Sequence, residues 1–396
     1  MIEYKCVPLD ESVEEMFIGP FGSSLKNECF VDEDEAYCMV YEQKHAIQKT
    51  MDVETRYVNE QKYNELKRFN IHGGDIIVSC RGTIGETFVV PEDAPLGIMH
   101  PSIMKIRLKD GVYDKYYFNL LLKSRLKKHE AEANGSGIKM AISATELGRE
   151  LFPVPTMQEQ QEITDIISGI SDVIEKRKQE LSALDDLIKA RFVELFGDPV
   201  INSKGWSEAL IGDNCFVTKL AGFEYTQYIN YDESGDVVMV KAQNVKNGKL
   251  NRKELSFISN EVSDSLPRSQ LASGDIVMTY VGANIGDVAV IDDKYKYHLA
   301  PNVAKIRPDS EIYDPTYFMY MLMLLNIYIV KNSADTAKAA LGMERIRKLK
   351  VFTPPIETQR QFADFAHQVD KSKVAIQKAL DETQLLFDSL MQQYFG

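Results

Sequence analysis

The sequence predicts an α+β chain in which two β-rich domains are each followed by a long helix. The two helices are expected to pair as an antiparallel coiled coil with pseudo-twofold symmetry. Three observations carry this expectation: a duplication with a period near 200 residues, a strand-and-turn pattern over the first part of each copy, and a heptad pattern over the rest.

Set against itself at an offset of 200, the chain matches in one register over most of a half. Met39-Val40 and Gln43 face Met239-Val240 and Gln243, and Leu66 and Arg68 face Leu266 and Arg268. Gly74-Asp75-Ile76 faces Gly274-Asp275-Ile276, and Lys105-Ile106-Arg107 faces Lys305-Ile306-Arg307. The offset then slips to 199, where Pro155 faces Pro354, Gln160 faces Gln359 and Phe196-Gly197 faces Phe395-Gly396. A period this long marks duplicated domains, not a solenoid.

Within each copy the first part reads as strands and turns. Gly73-Gly74-Asp75 opens the β-rich run Ile76 to Ser79, and Gly82-Thr83-Ile84-Gly85 turns it into Thr87 to Val90. Gly274-Asp275 through Gly286-Asp287 repeats the pattern. Tyr116 to Lys128 and Tyr317 to Lys331 read as core helices with apolar residues on one side.

The last part of each copy reads as one long helix. Pro153 and Pro155 precede the first and Pro354-Pro355 the second, as at a helix entry. A 4-3 spacing picks out Ile163, Ile167, Ile170, Ile174, Arg177, Leu181, Leu184, Ile188, Arg191 and Leu195. In the second helix it picks out Phe362, Ala366, Val369, Lys373, Ile376, Leu380, Thr383, Phe387, Leu390 and Tyr394. Most positions in each set are apolar, the signature of a coiled-coil seam. The intervening domain must bring the chain back, so antiparallel pairing is expected. At 1.5 Å per residue each helix runs roughly 60 Å.

Composition narrows the function. The chain has 396 residues, a formal charge of −13, and 44% hydrophobic against 27% charged residues, too apolar for disorder. Cys6, Cys29, Cys38, Cys80 and Cys215 are odd in number and form no C-x-x-C, which fits a reducing cytoplasm. The start lacks a signal-peptide pattern, and the longest apolar run, Tyr317 to Val330, falls short of the ~20 residues a bilayer needs. Overall acidity argues against a nucleic-acid binder working alone. The β-rich domains nevertheless hold 37 of the 46 Lys and Arg residues, so basic faces there remain available while the helices are acidic.

No motif of catalysis or cofactor binding stands out. There is no G-x-x-x-x-G-K-[ST] loop, no G-x-G-x-x-G after a strand, and no paired spacing among the six histidines. The run Asp32 to Glu35 reads as a solvated loop. A binding protein with no cofactor or metal is favoured over an enzyme.

Order and duplication together resemble the specificity subunit of type I restriction–modification enzymes over essentially the whole chain. The motifs are Gly19-Pro20-Phe21-Gly22-Ser23, Gly74-Asp75-Ile76-Ile77-Val78-Ser79, Lys241-Ala242-Gln243-Asn244-Val245 and Gly274-Asp275-Ile276-Val277. Phe152-Pro153-Val154-Pro155 running into Glu159-Gln160-Gln161-Glu162-Ile163 resembles that family's entry into its first spacer helix. The second copy departs from the pattern, with Leu220-Ala221-Gly222 in place of G-P-F-G-S. The resemblance implies target recognition domains at 1–155 and 198–354, followed by spacer helices at 156–197 and 355–396. It also implies a non-catalytic, cytoplasmic reader of double-stranded DNA. Two methyltransferase (modification) subunits and restriction subunits would be its partners. Each domain would read half of a bipartite target, and the helix pair would set the unread gap. The competing reading, supported by the pI of ≈ 5.1, is a coiled-coil scaffold whose β-domains bind proteins.

Base edges call for Arg, Lys, Asn and Gln donors. Gln43 and Lys44, with Gln243 and Asn244, sit at one repeat position and are the expected base readers. Arg81, Lys139, Lys219, Lys246 and Lys338 are expected to touch phosphate or base. Arg68 and Arg268, like Arg107 and Arg307, recur in both copies. Two halves that read different bases would not share their readers, so these four are assigned to fold or phosphate.

Overall fold

The computed structural model describes residues 4–81, 83–134, 143–333 and 341–396, the side chains of 128–134 and 327–333 apart. Two compact units result: Met1–Lys176 with Ala379–Gly396, and Arg177–Lys378. Each is built on two four-stranded sheets and a two-stranded ribbon, to which the second unit adds a short hairpin.

In the first unit one sheet runs Val13–Ile18, Ile103–Leu108, Ile76–Ser79, Thr87–Val89, all antiparallel. The other runs Arg56–Val58, Cys38–Tyr41, Gly97–Met99, Asn70–Ile71, its central pair parallel. The strands Cys38–Tyr41 and Ile76–Ser79 are buried along their whole length, as apolar strands covered on both faces must be. The turn before Ile76 needs Gly74 at φ 83 and uses the Asp75 carboxylate to accept the His72 N–H at 2.8 Å. Gly274 (φ 86) and Asp275, accepting the Ala272 N–H, repeat it in the second unit.

The same two carboxylates hold the sheets. Asp75 is 1% exposed and takes Arg107 Nε and Nη2 in two parallel bonds of 2.7 Å. Asp275 takes Arg307 in the same way at 2.6 and 2.7 Å. Arg107 and Arg307 are therefore framework, as their recurrence suggested.

The second unit repeats the topology, with sheets Cys215–Lys219, Val303–Pro308, Ile276–Thr279, Val288–Val290 and Phe257–Ile258, Val237–Val240, Lys296–Leu299, Gln270–Leu271. Pairing registers correct the uniform offset of 200. Asn70 pairs with Ile98 and Gln270 with His298, so these strands do differ by 200. Met39, however, pairs with Gly97 and Val238 with Tyr297, which makes 199 the offset of the strand Cys38–Tyr41. Phe17 pairs with Lys105 and Thr218 with Lys305, which makes 201 the offset of the first sheet strand.

The long helices are Met157–Phe196 and Ile356–Phe395. Every position that the heptad spacing selects is buried or half-buried. Pairing is antiparallel within each unit. In the first, Ile163 and Ile167 share a core with Phe387, Leu390 and Phe395; in the second, Ile188, Phe192 and Phe196 share one with Phe362, Ala366 and Val369. The buried Gln160 fixes one helix start, its amide accepting the Asp114 N–H and donating to Val112 O and Pro155 O; Gln359 does the same in the second copy. No helix among the described residues is long and apolar enough to cross a membrane.

Candidate nucleic-acid interface

The end of the buried strand Cys38–Tyr41 delivers Glu42 to the N-terminus of the short helix Gln43–Gln48. Beside it lies a cleft of about 530 Å³ lined by Glu42, Gln43, Lys44, Glu54, Arg56, Arg81, His100 and Ser102. Glu42 is 7% exposed yet ionised, because three cations or potential cations surround it. Lys44 Nζ lies 2.9 Å from Oε2, Arg56 bonds Oε1, and His100 Nε2 stands 4.0 Å away. Burial pushes the carboxyl's pKa up, but hydrogen bonds from Arg56 and Lys44 outweigh it and hold the group below its ordinary range.

Such a group stabilises the fold above its unfolded pKa, about 4.3, and loses that contribution as pH falls through the lower folded value. Glu42→Gln is thus expected to lower Tm at pH 7. The gap from the parent should close in thermal melts below about pH 4.3.

The His100 ring is held neutral, chiefly by burial, against the pull of Glu42. Its Nδ1 accepts the Ser102 N–H at 3.2 Å and meets Ser102 Oγ at 2.7 Å, which leaves Nε2 as the protonated nitrogen toward Glu42. Gly19 packs on the His100 carbonyl, where an added Cβ would fall 2.3 Å from the oxygen; the G-P-F-G-S loop therefore opens with a residue that only glycine can be. Gln43 Oε1 is buried without a donor from the described residues.

The sequence-selected residues divide. Gln43, Lys44 and Arg81 come together in the cleft. Gln243 is exposed, its amide 3.3 Å from Glu254. Lys219 is exposed with Nζ 5.3 Å from the Tyr280 ring centre. Lys246 is exposed on the hairpin of Val245–Lys246 and Lys249–Leu250, whose Asn247-Gly248 turn takes φ 48 and 77, the two-residue form that suits twisted strands. Lys139 and Lys338 lie outside the described residues, as does Gly82.

Asn244 requires a correction. It is 3% exposed, and its side chain is occupied: Oδ1 accepts the Lys241 N–H at 3.0 Å, while Nδ2 donates to Asn251 O and Glu254 O. It closes a turn and has no group left to offer a base. Its counterpart is His45, whose Nδ1 accepts the Glu42 N–H at 3.0 Å, so Lys44 corresponds to Gln243.

Sequence reasoning missed Glu42, Arg56 and His100. Arg56, on the strand Arg56–Val58, and His100, just past the strand Gly97–Met99, reach Glu42 from two sides, a juxtaposition for which only the pairing register gives a signal. Among the described residues, no group of three or more His, Cys, Asp or Glu could hold a metal ion.

The family model of the type I restriction modification DNA specificity domain matches residues 26–184 and 204–383. The type I restriction enzyme EcoBI specificity subunit of Escherichia coli is 21% identical over 347 residues, spanning 81% of this chain and 72% of that protein. The type I restriction enzyme MjaVIII specificity subunit of Methanocaldococcus jannaschii is 24% identical over 346 residues, spanning 79% and 78%. The crystal structure of the type I restriction-modification system S subunit from M. genitalium aligns with a TM-score of 0.57 at 15% identity, over 100% of this chain and 96% of that one. A chain from a study of complex assembly and conformational transition of the type I R-M system aligns at 0.59 and 15%, over 100% and 98%. At these identities the likeness is one of fold.

Proposed function

We propose, from the premise that this chain belongs to the type I restriction modification DNA specificity domain family, that its two β-rich domains, 1–155 and 198–354, each read one half of a split double-stranded DNA target. The observation that carries this reading is the cleft of the first unit, where Lys44, Arg56 and Arg81 are grouped on a framework of buried strands. Donors fixed as Lys44 and Arg56 are by Glu42 suit base edges, which are recognised by geometry, whereas loose surface lysines suit phosphates. In the second domain the exposed Gln243, Lys219 and Lys246 are the candidates. Each long helix runs roughly 60 Å, and its length sets the unread gap between the halves.

The chain is non-catalytic and cytoplasmic in this proposal. Two methyltransferase subunits bring adenosylmethionine and the reacting groups, and restriction subunits join that core. A chain of charge −13 neutralises few phosphates by itself, so it binds DNA weakly until partners supply cations. The test is long-read mapping of adenine methylation in the source genome with the gene intact and deleted. A motif of two defined halves around a fixed gap is expected to vanish on deletion. An unchanged methylation pattern would overturn the reading.

A further inference from the structure

The two units carry opposite charges at one position of one framework. His100 N donates to Tyr41 O at 2.9 Å, and Ala300 N to Val240 O at 3.1 Å. The next residue is Glu42 in the first unit and Lys241 in the second, and each donates its N–H to the side chain three residues on. Where Arg56 grips Glu42, Ser256 accepts from Lys241 Nζ at 2.5 Å, and the Tyr231 ring lies 4.4 Å from that nitrogen. Cys80 N donates to Ser102 O and Tyr280 N to Asn302 O, so Arg81 corresponds to Val281, and His100 to Ala300.

Glu42, Lys44, Arg56, Arg81 and His100 therefore have no like residue at their places in the second unit, although the Asp–Arg pairs beneath are shared. A residue shared by two readers of different sequences serves the framework; a set present in one alone is where discrimination belongs. Glu42 is 7% exposed, with one oxygen engaged by Lys44 and the other by Arg56, so its role is to hold these cations. Apart from the exposed Glu54 carboxylate, the charged groups that face outward are donors: the Lys44 ammonium, the remaining Arg56 N–H groups and the exposed Arg81 guanidinium. In the major groove, the edge that presents two acceptors side by side is that of guanine, O6 and N7.

We infer, resting on the function proposed above, that the first domain reads a guanine in its half-site through Lys44, Arg56 and Arg81, with Glu42 as the positioning residue, and that the second domain lacks this device. Phosphate oxygens would meet the same donors, so the test must separate base from backbone. Lys44→Ala, Arg81→Ala and Glu42→Gln chains are each produced with the cognate methyltransferase subunits, and the methylated motif is mapped beside that of the parent.

The expected result is that one guanine position in one half becomes degenerate, with preference falling about tenfold or more, while the other half and the gap are unchanged. Arg81 is exposed, so its variant keeps the fold. Glu42→Gln should relax the same position, which a merely structural role would not do. An unaltered motif with uniformly lower methylation would mean phosphate contact and would overturn the inference, as would relaxation at a position that is not guanine. A parent chain that directs no split motif would instead overturn the underlying function.

Discussion

Replacing Asp75 with alanine is expected to cost the first unit about 3–5 kcal/mol, the range for breaking a buried pair from one side. The carboxylate is 1% exposed and satisfies three donors: Arg107 Nε, Arg107 Nη2 and the His72 N–H. Its removal orphans that N–H and leaves Arg107 beside Lys105, whose ammonium is buried and already shares Glu15 with it. Two cations would then lean on one carboxylate. Burial already pulls the Lys105 pKa down against the Glu15 hydrogen bond, so this site tolerates no further loss of negative charge. Asp75→Asn keeps the shape and one acceptor and should lose less. Urea denaturation followed by tyrosine fluorescence checks the order; a Asp75→Ala midpoint equal to the parent's would remove the pair from the framework.

Phe192→Ala is expected to destabilise the second unit by about 3–5 kcal/mol. Phe192 is fully buried and its ring meets three others: Phe196 at 4.9 Å, Phe362 edge-on at 5.3 Å and Tyr317 stacked at 5.6 Å. Phe362 in turn meets Tyr320 edge-on at 5.3 Å. The ring thus joins both long helices to the helix Pro315–Ser333, and truncation leaves a cavity whose walls are themselves aromatic and slow to collapse. Val193 next to it is exposed, and Val193→Ala is the matched control, with an expected effect within about 0.5 kcal/mol. Thermal melts of both variants decide the matter.

Much of this architecture was legible in the sequence. The heptads located the seam because a helix with one buried face must repeat its apolar residues, and Gly74-Asp75 and Gly274-Asp275 marked turns because positive φ and a short carboxylate are what such turns require. The one-residue slips were not legible. Val40 and Val240 lie in strands buried on both faces, where alternation is lost and identical residues align in the wrong register without penalty. That error paired Gln43 with Gln243 and cast Asn244 as a reader, when Asn244 stands where His45 does. Gln43, Lys44 and Arg81 were selected by residue type alone, and that they share one cleft was not legible. Glu42, Arg56 and His100 were not selected, because a buried charge is recognisable only once its partners from other strands are known.

The membership of the first unit also sets a timetable. Residues 379–396 complete its core: Phe395 lies 5.4 Å from Tyr117, and Ser124 Oγ donates to the Phe395 carbonyl across 271 residues of sequence. A ribosome adding about 5–20 residues per second finishes the β-rich part of this unit roughly 11–49 s before the segment that seals it is made. During that interval Tyr117 and its neighbours are exposed to water on the side that Phe395 later covers, and the closing step carries the entropy of a very long loop. The half made first is thus the half that matures last, and chaperone dependence during synthesis should fall on it.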